Sequence, residues 1–366
     1  MSEPFEIFLV VPPGLEPVLE AEARSKGFDV QGVSKGGVSL KGHWEDIWRA
    51  NLQLRGATRV LVRLASFPAV HLSQLDKKAR KLPWGDWLKG DVPFRVDATC
   101  SKSKIYHQRA ASERISKAIT DTIGAPLSEE ADLKIKLRID RNLCTLSIDT
   151  SGEPLHKRGH KQALNKAPMR ENLAALFLGA CGYNGDEPVY DPMCGSGTFV
   201  IEAAEIAMGL TPGRSRDFAF ESLGSFDPKR VEALKERPAR PTHMRFFGSD
   251  RDTGAIKMAG QNAERAGVAE ITQFEGKPIS DIAPPTEQLG LLIVNPPYGG
   301  RIGNKKPLFG LYASFGEVVK TRFKGWRVGM VTSEASLAKA TGLKWSDTGP
   351  RIDHGGIGVK LYQTKI

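Results

Sequence analysis

The sequence has few cysteines and no long apolar run. Its four cysteines, Cys100, Cys144, Cys181 and Cys194, include no C-x-x-C pair. This usage is typical of reduced thiols, and it argues against a disulfide framework or a cysteine metal site. The longest apolar run, residues 289–294, is interrupted by a glycine and is far shorter than the roughly 18 residues that span a bilayer. The first residues are acidic and lack the basic region of an export signal. We therefore expect a cytoplasmic chain without a membrane partner.

Histidines are also too sparse to suggest a metal site. His156 and His160 are four residues apart, a spacing that would place both rings on one side of a helix. A metal ion needs further ligands, and the residues between them supply positive charge and a glycine instead. We therefore expect no metal. Lys157 and Arg158, which lie between the two histidines, are predicted to line an entrance for a polyanion or its bases.

Basic residues are in excess. The 366 residues carry 52 Lys and Arg against 42 Asp and Glu, a formal charge of +10 and a pI near 9.4. Such a balance favours a polyanionic partner such as nucleic acid. Lys102, Lys104 and Arg109 lead into a predicted helix and are candidates for phosphate contacts. A solvated helix face is the alternative interpretation of this cluster.

The stretch LLIVNPPYGG, residues 291–300, contains the most informative motif. An apolar strand leads into Asn295, Pro296, Pro297 and Tyr298. The prolines have no N–H, so nearby carbonyl groups are free to accept hydrogen bonds, and Asn295 adds a side-chain acceptor. Tyr298 offers a ring on which a nucleobase can stack. The motif therefore predicts a receptor for the amino group of a base, whereas a proline-stiffened turn without function is the alternative.

A second motif, DPMCGSGT at residues 191–198, predicts a strand, a glycine turn and a helix. Gly195 and Gly197 allow a ligand to approach the backbone closely. No lysine follows either glycine, which argues against an ATP-binding loop. Val200 stands where a dinucleotide-binding loop has its third glycine, which argues against NAD as the ligand. S-adenosylmethionine fits better, because Asp191 before the turn suits its ammonium group.

A second acid supports this interpretation. Asp250 ends the next predicted strand and could accept hydrogen bonds from both ribose hydroxyls of a nucleoside. The distance from the glycine turn is longer than usual, so residues 209–242 are predicted to be an insertion. Asp250 could instead cap the helix predicted at Thr253–Ala266, a role for which Asp252 competes.

With these motifs, the chain resembles the class I S-adenosylmethionine-dependent amino-methyltransferases. Residues 149–160, DTSGEPLHKRGH, and residues 167–173, APMRENL, narrow the resemblance to the THUMP-domain RNA methyltransferases. Within them, the chain is most similar to the RlmL-type enzymes, which methylate guanine N2 in 23S rRNA. The likeness extends along nearly the whole chain and is thinnest in the first hundred residues.

The resemblance implies a role for each matching residue. The cofactor S-adenosylmethionine would be bound by Asp191, Met193, Gly195, Gly197, Thr198, Asp250, Arg170 and Glu171. Asp281 would replace the acid that relatives carry near the adenine, because Lys277 and Pro278 occupy that place. The catalytic residues would be Asn295, Pro296, Pro297 and Tyr298. Arg301 would contact RNA, although Gly300 stands where relatives often carry a glutamate.

The predicted fold is α/β. We expect a ferredoxin-like domain at residues 1–60, a THUMP domain at 61–155 and a methyltransferase domain with a mixed seven-stranded Rossmann-like sheet at 156–366. The predicted function is methylation of guanine N2 in 23S rRNA. The alternatives are a tRNA guanine-N2 enzyme, an adenine-N6 enzyme and an RNA-binding protein with a vestigial methyltransferase domain. The sequence does not predict an oligomeric state.

Overall fold

The computed structural model describes residues 4–162, 169–236, 238–298 and 306–366. Contacts divide the chain into two units. The first unit comprises Met1–Val11, Glu20–Leu155 and Arg216–Glu236, and the second comprises Pro12–Leu19, His156–Ser215 and Arg237–Ile366. In the described ranges, no helix is long and apolar enough to cross a membrane.

The strands of the described residues fall into two sheets. They are β1 (Phe5–Val10), β2 (Asp29–Ser34), β3 (Gly37–Gly42), β4 (Arg59–Pro68), β5 (Phe94–Ser101), β6 (Leu133–Asp140), β7 (Leu143–Asp149), β8 (Val189–Asp191), β9 (Phe246–Asp250), β10 (Thr272–Gly276), β11 (Leu291–Val294), β12 (Arg327–Thr332), β13 (Asp347–Thr348), β14 (Ile352–His354) and β15 (Ile357–Lys365).

The α-helices of the same residues lie between these strands. They are α1 (Glu16–Ser25), α2 (Trp44–Gln53), α3 (Leu72–Ala79), α4 (Gln108–Ile123), α5 (Glu171–Ala180), α6 (Thr198–Ala207), α7 (Pro228–Lys235), α8 (Thr253–Ala266), α9 (Lys306–Arg322) and α10 (Ala335–Ala340).

The first unit contains a seven-stranded sheet in the order β2-β3-β1-β4-β7-β6-β5. Strand β6 shows how its sequence produces one buried face, because Leu133, Ile135, Leu137 and Ile139 alternate with more polar residues and are all buried. Helix α4 has the complementary pattern, with apolar residues buried at helical spacing from Ala111 to Ile119. Strand β4 pairs with both β1 and β7, so the sheet is continuous across the domain boundary predicted at residues 60 and 61.

Most of the predicted insertion belongs to the first unit. Residues 216–236 group with that unit, although they lie in sequence within the methyltransferase half. The Arg216 guanidinium donates hydrogen bonds to three backbone carbonyls in the stretch after β7, those of Ser151, Glu153 and Pro154. The rings of Phe218 and Phe220 stack at a centroid distance of 5.0 Å. This segment therefore contributes to the core of the first unit, a role that the sequence did not indicate.

The second unit contains the predicted mixed sheet, which has eight strands among the described residues where seven were predicted. Its strand order is β10-β9-β8-β11-β12-β15-β13, and β14 pairs with β15 beside this path. The first five of these strands run parallel, and β15 runs antiparallel to β12. Strand β11, LLIV, is buried on both faces, as expected for a central parallel strand. Strands β14 and β15 form a closing hairpin.

Candidate active site

The carboxyl ends of three neighbouring parallel strands carry the predicted site. Asp191 ends β8, Asp250 ends β9, and Asn295 follows β11. Strand β8 pairs in parallel with both β9 and β11, so the three residues lie along one edge of the sheet. The chain proceeds from β8 to β9 and β10 on one side and continues with β11 and β12 on the other. Ligands of open α/β sheets bind at such a reversal of strand order.

The glycine turn between β8 and α6 has the backbone conformation that the sequence predicted. Gly195 and Gly197 have φ angles of 52° and 85°, in the left-handed region that favours glycine. A Cβ at Gly197 would lie 3.1 Å from Ala259 and 3.2 Å from the Phe274 ring. Thr198 begins α6 directly after the turn and is buried. The turn is therefore tightly packed, and a larger residue at Gly197 would require its neighbours to shift.

Asp250 fixes this turn from the adjacent strand. Its Oδ2 accepts a hydrogen bond from the Gly195 backbone N–H at 3.0 Å, and its Oδ1 accepts one from the Asp252 N–H at 3.0 Å. Asp252 caps α8 by accepting hydrogen bonds from Gly254 and Ala255. The alternative role of Asp250 as the helix cap is therefore filled by Asp252. A carboxylate has about four acceptor positions, so Asp250 keeps capacity for further donors.

Asp191 is a buried acid with no cation paired to it in the described part of the chain. Its side chain is 2% exposed, and its Oδ1 accepts a hydrogen bond from the Met193 N–H at 3.0 Å. Burial, together with a smaller contribution from the nearby Asp250 carboxylate, raises the pKa of Asp191 to about 8. A ligand ammonium group beside Asp191 would supply the missing positive charge. The residues present therefore fit the amino-acid portion of S-adenosylmethionine.

Asn295 has a buried acceptor with no donor among the described residues. Its side-chain Oδ1 makes no hydrogen bond within them, and no described donor is bonded to the Pro296 carbonyl oxygen. A buried acceptor left without a donor costs about 1–3 kcal/mol, which an incoming N–H group can offset. This is the arrangement predicted for binding an amine.

Two side chains distant in sequence hold the rest of the motif. The Tyr298 hydroxyl lies 3.1 Å from Nδ1 of His354 on β14. The Tyr312 hydroxyl, on α9, donates to the Pro297 carbonyl oxygen at 3.3 Å and lies 3.2 Å from Thr332 Oγ1. The Pro297 carbonyl is therefore engaged, which leaves Pro296 as the available backbone acceptor. Sequence reasoning missed both His354 and Tyr312, because neither lies in a motif and Tyr312 fitted an ordinary apolar helix pattern.

The position of Arg158 differs from the one predicted. The residue was expected to contact RNA, but its side chain is 1% exposed and its Nη2 lies 2.9 Å from Oε1 of Glu202 on α6. A buried, hydrogen-bonded ion pair of this kind is part of the interior, so Arg158 is not available to a polymer at the surface. Lys157, in contrast, is exposed.

Glu171 also has an internal partner. It is buried at the start of α5, and Lys161 Nζ lies 3.4 Å from its Oε1. Burial raises the pKa of Glu171 and lowers the pKa of Lys161. Arg170, the residue before α5, is exposed. Contacts of either residue with a cofactor stay predictions.

Asp281 and the predicted RNA-binding lysines lie at the surface. Asp281 is exposed in a short turn after β10, where it accepts a hydrogen bond from Ser280 Oγ at 2.9 Å. Lys102, Lys104 and Arg109 are exposed in the first unit. Arg301 and Gly300 lie outside the described residues. In the described ranges, no group of three or more His, Cys, Asp and Glu side chains is placed to bind a metal.

Fold and site together define a Rossmann-like methyltransferase domain. The family model of the RMKL-like methyltransferase domain matches residues 158–356, and the chain belongs to this family. The models of the RlmL ferredoxin-like domain and the THUMP domain match residues 6–61 and 69–149. These matches confirm the resemblance and the fold class inferred from the sequence.

Relatives of known name agree with this assignment. The chain is 36% identical to "Ribosomal RNA large subunit methyltransferase K/L" of Syntrophotalea carbinolica, over 94% of this chain and 51% of that protein. The chain thus spans about half the length of these K/L relatives. It is 30% identical to "Putative RNA methyltransferase slr0064" of Synechocystis, over 98% of this chain and 96% of that protein. The solved structure of "SMU.472, a putative methyltransferase complexed with SAH" is 30% identical, with a TM-score of 0.90 over 100% of this chain and 99% of that one.

Proposed function

We propose that the chain uses S-adenosylmethionine to methylate an exocyclic amine of an RNA base, and that this amine is guanine N2 of 23S rRNA. The observation that carries the proposal is the buried Oδ1 of Asn295, which has no hydrogen-bond partner among the described residues and lies after β11, the strand next to β8. We place the methyl donor at the glycine turn that follows β8. The RNA substrate is favoured by the THUMP match, and large-subunit rRNA by the names of the K/L relatives.

The cofactor would be held by the edge formed by β8 and β9. Asp191 would pair with its ammonium group, the Gly195–Thr198 turn would contact its methionine portion, and Asp250 would accept hydrogen bonds from its ribose. When bound, S-adenosylmethionine supplies an electrophilic methyl group on a sulfonium. The SAH bound by the relative SMU.472 is the product that such a donor leaves behind.

The chain's own contribution is to prepare the amine. An exocyclic base amine is a poor nucleophile, because its lone pair is delocalised into the ring. Hydrogen bonds from the amine to Asn295 Oδ1 and the Pro296 carbonyl favour the pyramidal nitrogen and stabilise the positive charge that develops on it. Tyr298 would hold the base in place by stacking, so that the amine is aligned for transfer. No general base is required before the methyl group is transferred.

Nucleoside mass spectrometry of rRNA and tRNA from cells with and without the protein tests the substrate. We expect loss of N2-methylguanosine from 23S rRNA alone. A loss of N2-methylguanosine confined to tRNA would instead favour a tRNA guanine-N2 enzyme. A loss of N6-methyladenosine would favour an adenine-N6 enzyme. Unchanged profiles together with an absence of S-adenosylmethionine binding would favour an RNA-binding protein without enzyme activity.

A further inference from the structure

Two loops of the first unit are joined into one exposed surface. The loop after β5 and the turn between β6 and β7 are tied by three hydrogen bonds. Arg141 N–H donates to the Ser101 carbonyl at 3.2 Å, Lys104 N–H donates to Asn142 Oδ1 at 2.8 Å, and Asn142 N–H donates to Ser103 Oγ at 2.9 Å. We call the residues presented by these loops, Lys102, Lys104, Tyr106, His107 and Arg141, the tip patch.

The backbone of the tip patch is held in an unusual conformation. Lys102, Arg141 and Asn142 have φ angles of 46°, 49° and 63°, and they are the non-glycine residues with positive φ in the part of the chain described. L-residues rarely adopt this region, and they remain in it where the surroundings fix them. The three hydrogen bonds between the loops provide that constraint. The tip patch is therefore preorganised, whereas ordinary surface loops are more mobile.

Its charges are available to a polyanion. Lys102, Lys104 and Arg141 are exposed, and none of them forms an ion pair with an acid in the described part of the chain. The neighbouring Arg109 differs, because it pairs with Glu113 at 2.9 Å. Three unpaired cations on two tied loops complement a phosphate backbone, which carries one negative charge at each nucleotide.

Tyr106 adds an exposed aromatic ring to the tip patch. It is 69% exposed, the highest value among the large hydrophobic side chains exposed in the described residues. Its ring centroid lies 4.1 Å from that of His107, with an interplanar angle of 40°. An exposed aromatic ring beside cations is the arrangement on which unstacked bases are bound, because every base has a face that can stack. Bases within a duplex are already stacked on each other and are not accessible in this way.

We propose that the tip patch binds a single-stranded segment of RNA, with an unstacked base on the Tyr106 ring and phosphates on Lys102, Lys104 and Arg141. This inference rests on the proposed function only in taking RNA as the substrate. It adds that the RNA is bound through an unpaired stretch and that Asn142 holds the surface in its binding conformation.

Fluorescence anisotropy with the full chain tests the proposal, using a short labelled single-stranded RNA and a duplex of the same sequence. Tyr106→Ala is expected to weaken single-strand binding on the order of tenfold, because one stacked base is lost. Tyr106→Phe keeps the ring and should bind like the wild type. Leu127→Ala removes a side chain of the same unit that is 54% exposed and serves as the matched control. Single-strand affinity that is unchanged in Tyr106→Ala, or a loss that is equal for the duplex, would overturn the proposal.

Two further variants test the phosphate contact of Lys102 and the loop conformation held by Asn142 separately. Lys102→Ala should reduce the salt dependence of single-strand binding by a slope of about 0.7, the value for one phosphate contact. Asn142→Gly permits the left-handed backbone but removes the side-chain acceptor for Lys104, so it should weaken binding without unfolding the chain. Unchanged slope and affinity in both variants would contradict the proposed contacts. Failure of the proposed function would be seen separately, as an absence of methyl transfer by the wild-type protein.

Discussion

The Tyr298 hydroxyl lies 3.1 Å from Nδ1 of His354, so a strand of the closing hairpin holds the ring that follows the Asn-Pro-Pro motif. The two residues are 56 positions apart in sequence. Tyr298 is half-buried, and burial raises the pKa of its hydroxyl, so the group stays neutral at physiological pH and can donate or accept this hydrogen bond. We infer that His354 is a positioning residue for Tyr298.

His354→Phe and Tyr298→Phe each remove this hydrogen bond and keep an aromatic ring. Each should lower kcat/KM for RNA about fivefold to tenfold, the effect of a typical hydrogen bond, and leave the Kd for S-adenosylmethionine unchanged. The double variant should lose no more than either single variant, because both remove the same interaction. Fully additive losses in the methyl-transfer assay would show that the two residues act independently. Tyr298→Ala also removes the stacking surface and should lose more activity.

Asp191 gives cofactor binding a defined pH dependence. Its pKa of about 8 lies well above that of an ordinary carboxyl, so it is largely protonated at pH 7 in the free protein. Only the ionised form pairs with an ammonium group. Affinity for S-adenosylmethionine should therefore rise with pH, by about tenfold for each pH unit well below pH 8 and less steeply near it. Calorimetric titration between pH 6 and pH 9 checks this, and a flat profile would contradict the assignment. Asp191→Asn should bind weakly at every pH.

The raised pKa of Asp191 also predicts how the stability of the fold depends on pH, with the opposite sign. Because the pKa of Asp191 is raised by folding, its contribution to stability is fully present below the pKa of the unfolded chain and is lost as pH rises through 8. Asn at this position cannot ionise, so the Asp191→Asn variant does not lose stability in this way as pH rises. Urea unfolding without cofactor should therefore show the variant gaining stability over the wild type between pH 5 and pH 9. A variant less stable than the wild type at pH 9 would show that the ionised carboxylate is satisfied within the fold.

Arg158 and Glu202 form the ion pair most buried among those described. Arg158→Met removes the buried cation that pairs with Glu202 and should lower the free energy of unfolding by about 3–5 kcal/mol. Arg158→Met combined with Glu202→Leu should recover most of that loss. Lys157→Ala, at an exposed neighbouring cation, should leave stability unchanged. If Arg158→Met instead kept full stability and lost RNA affinity, the sequence-based prediction for Arg158 would be restored.

The sequence predicted those features that depend on local patterns. The glycine turn, the strand of LLIV and the helix Thr253–Ala266 are determined by residues adjacent in the chain, and the structure has each of them near the predicted position. The Rossmann-like mixed sheet followed from the family resemblance. These elements place Asp191, Asp250 and Asn295 on one edge of the sheet.

Features that depend on distant contacts were not predictable in this way. Nothing near residue 216 shows that Arg216 binds the carbonyls of Ser151 and Glu153, more than 60 positions earlier. Arg158 was assigned to the surface because an arginine in a basic stretch is usually solvated, and its partner Glu202 lies in another element. The contact between Tyr298 and His354 likewise requires the folded sheet. The domain boundaries at residues 60 and 155 and the residue roles in cofactor and RNA binding stay predictions.

The most direct test of the account is methyl transfer by purified wild-type and Asn295→Ala proteins to 23S rRNA that lacks the modification. With a methyl-labelled S-adenosylmethionine, nucleoside mass spectrometry should find the label in N2-methylguanosine for the wild type. Asn295→Ala should transfer it about a thousandfold more slowly, the loss expected for an oriented contact that stabilises the transition state, while its Kd for S-adenosylmethionine stays unchanged. Equal rates for the two proteins, or label in a product other than an N-methylated base amine, would contradict the account.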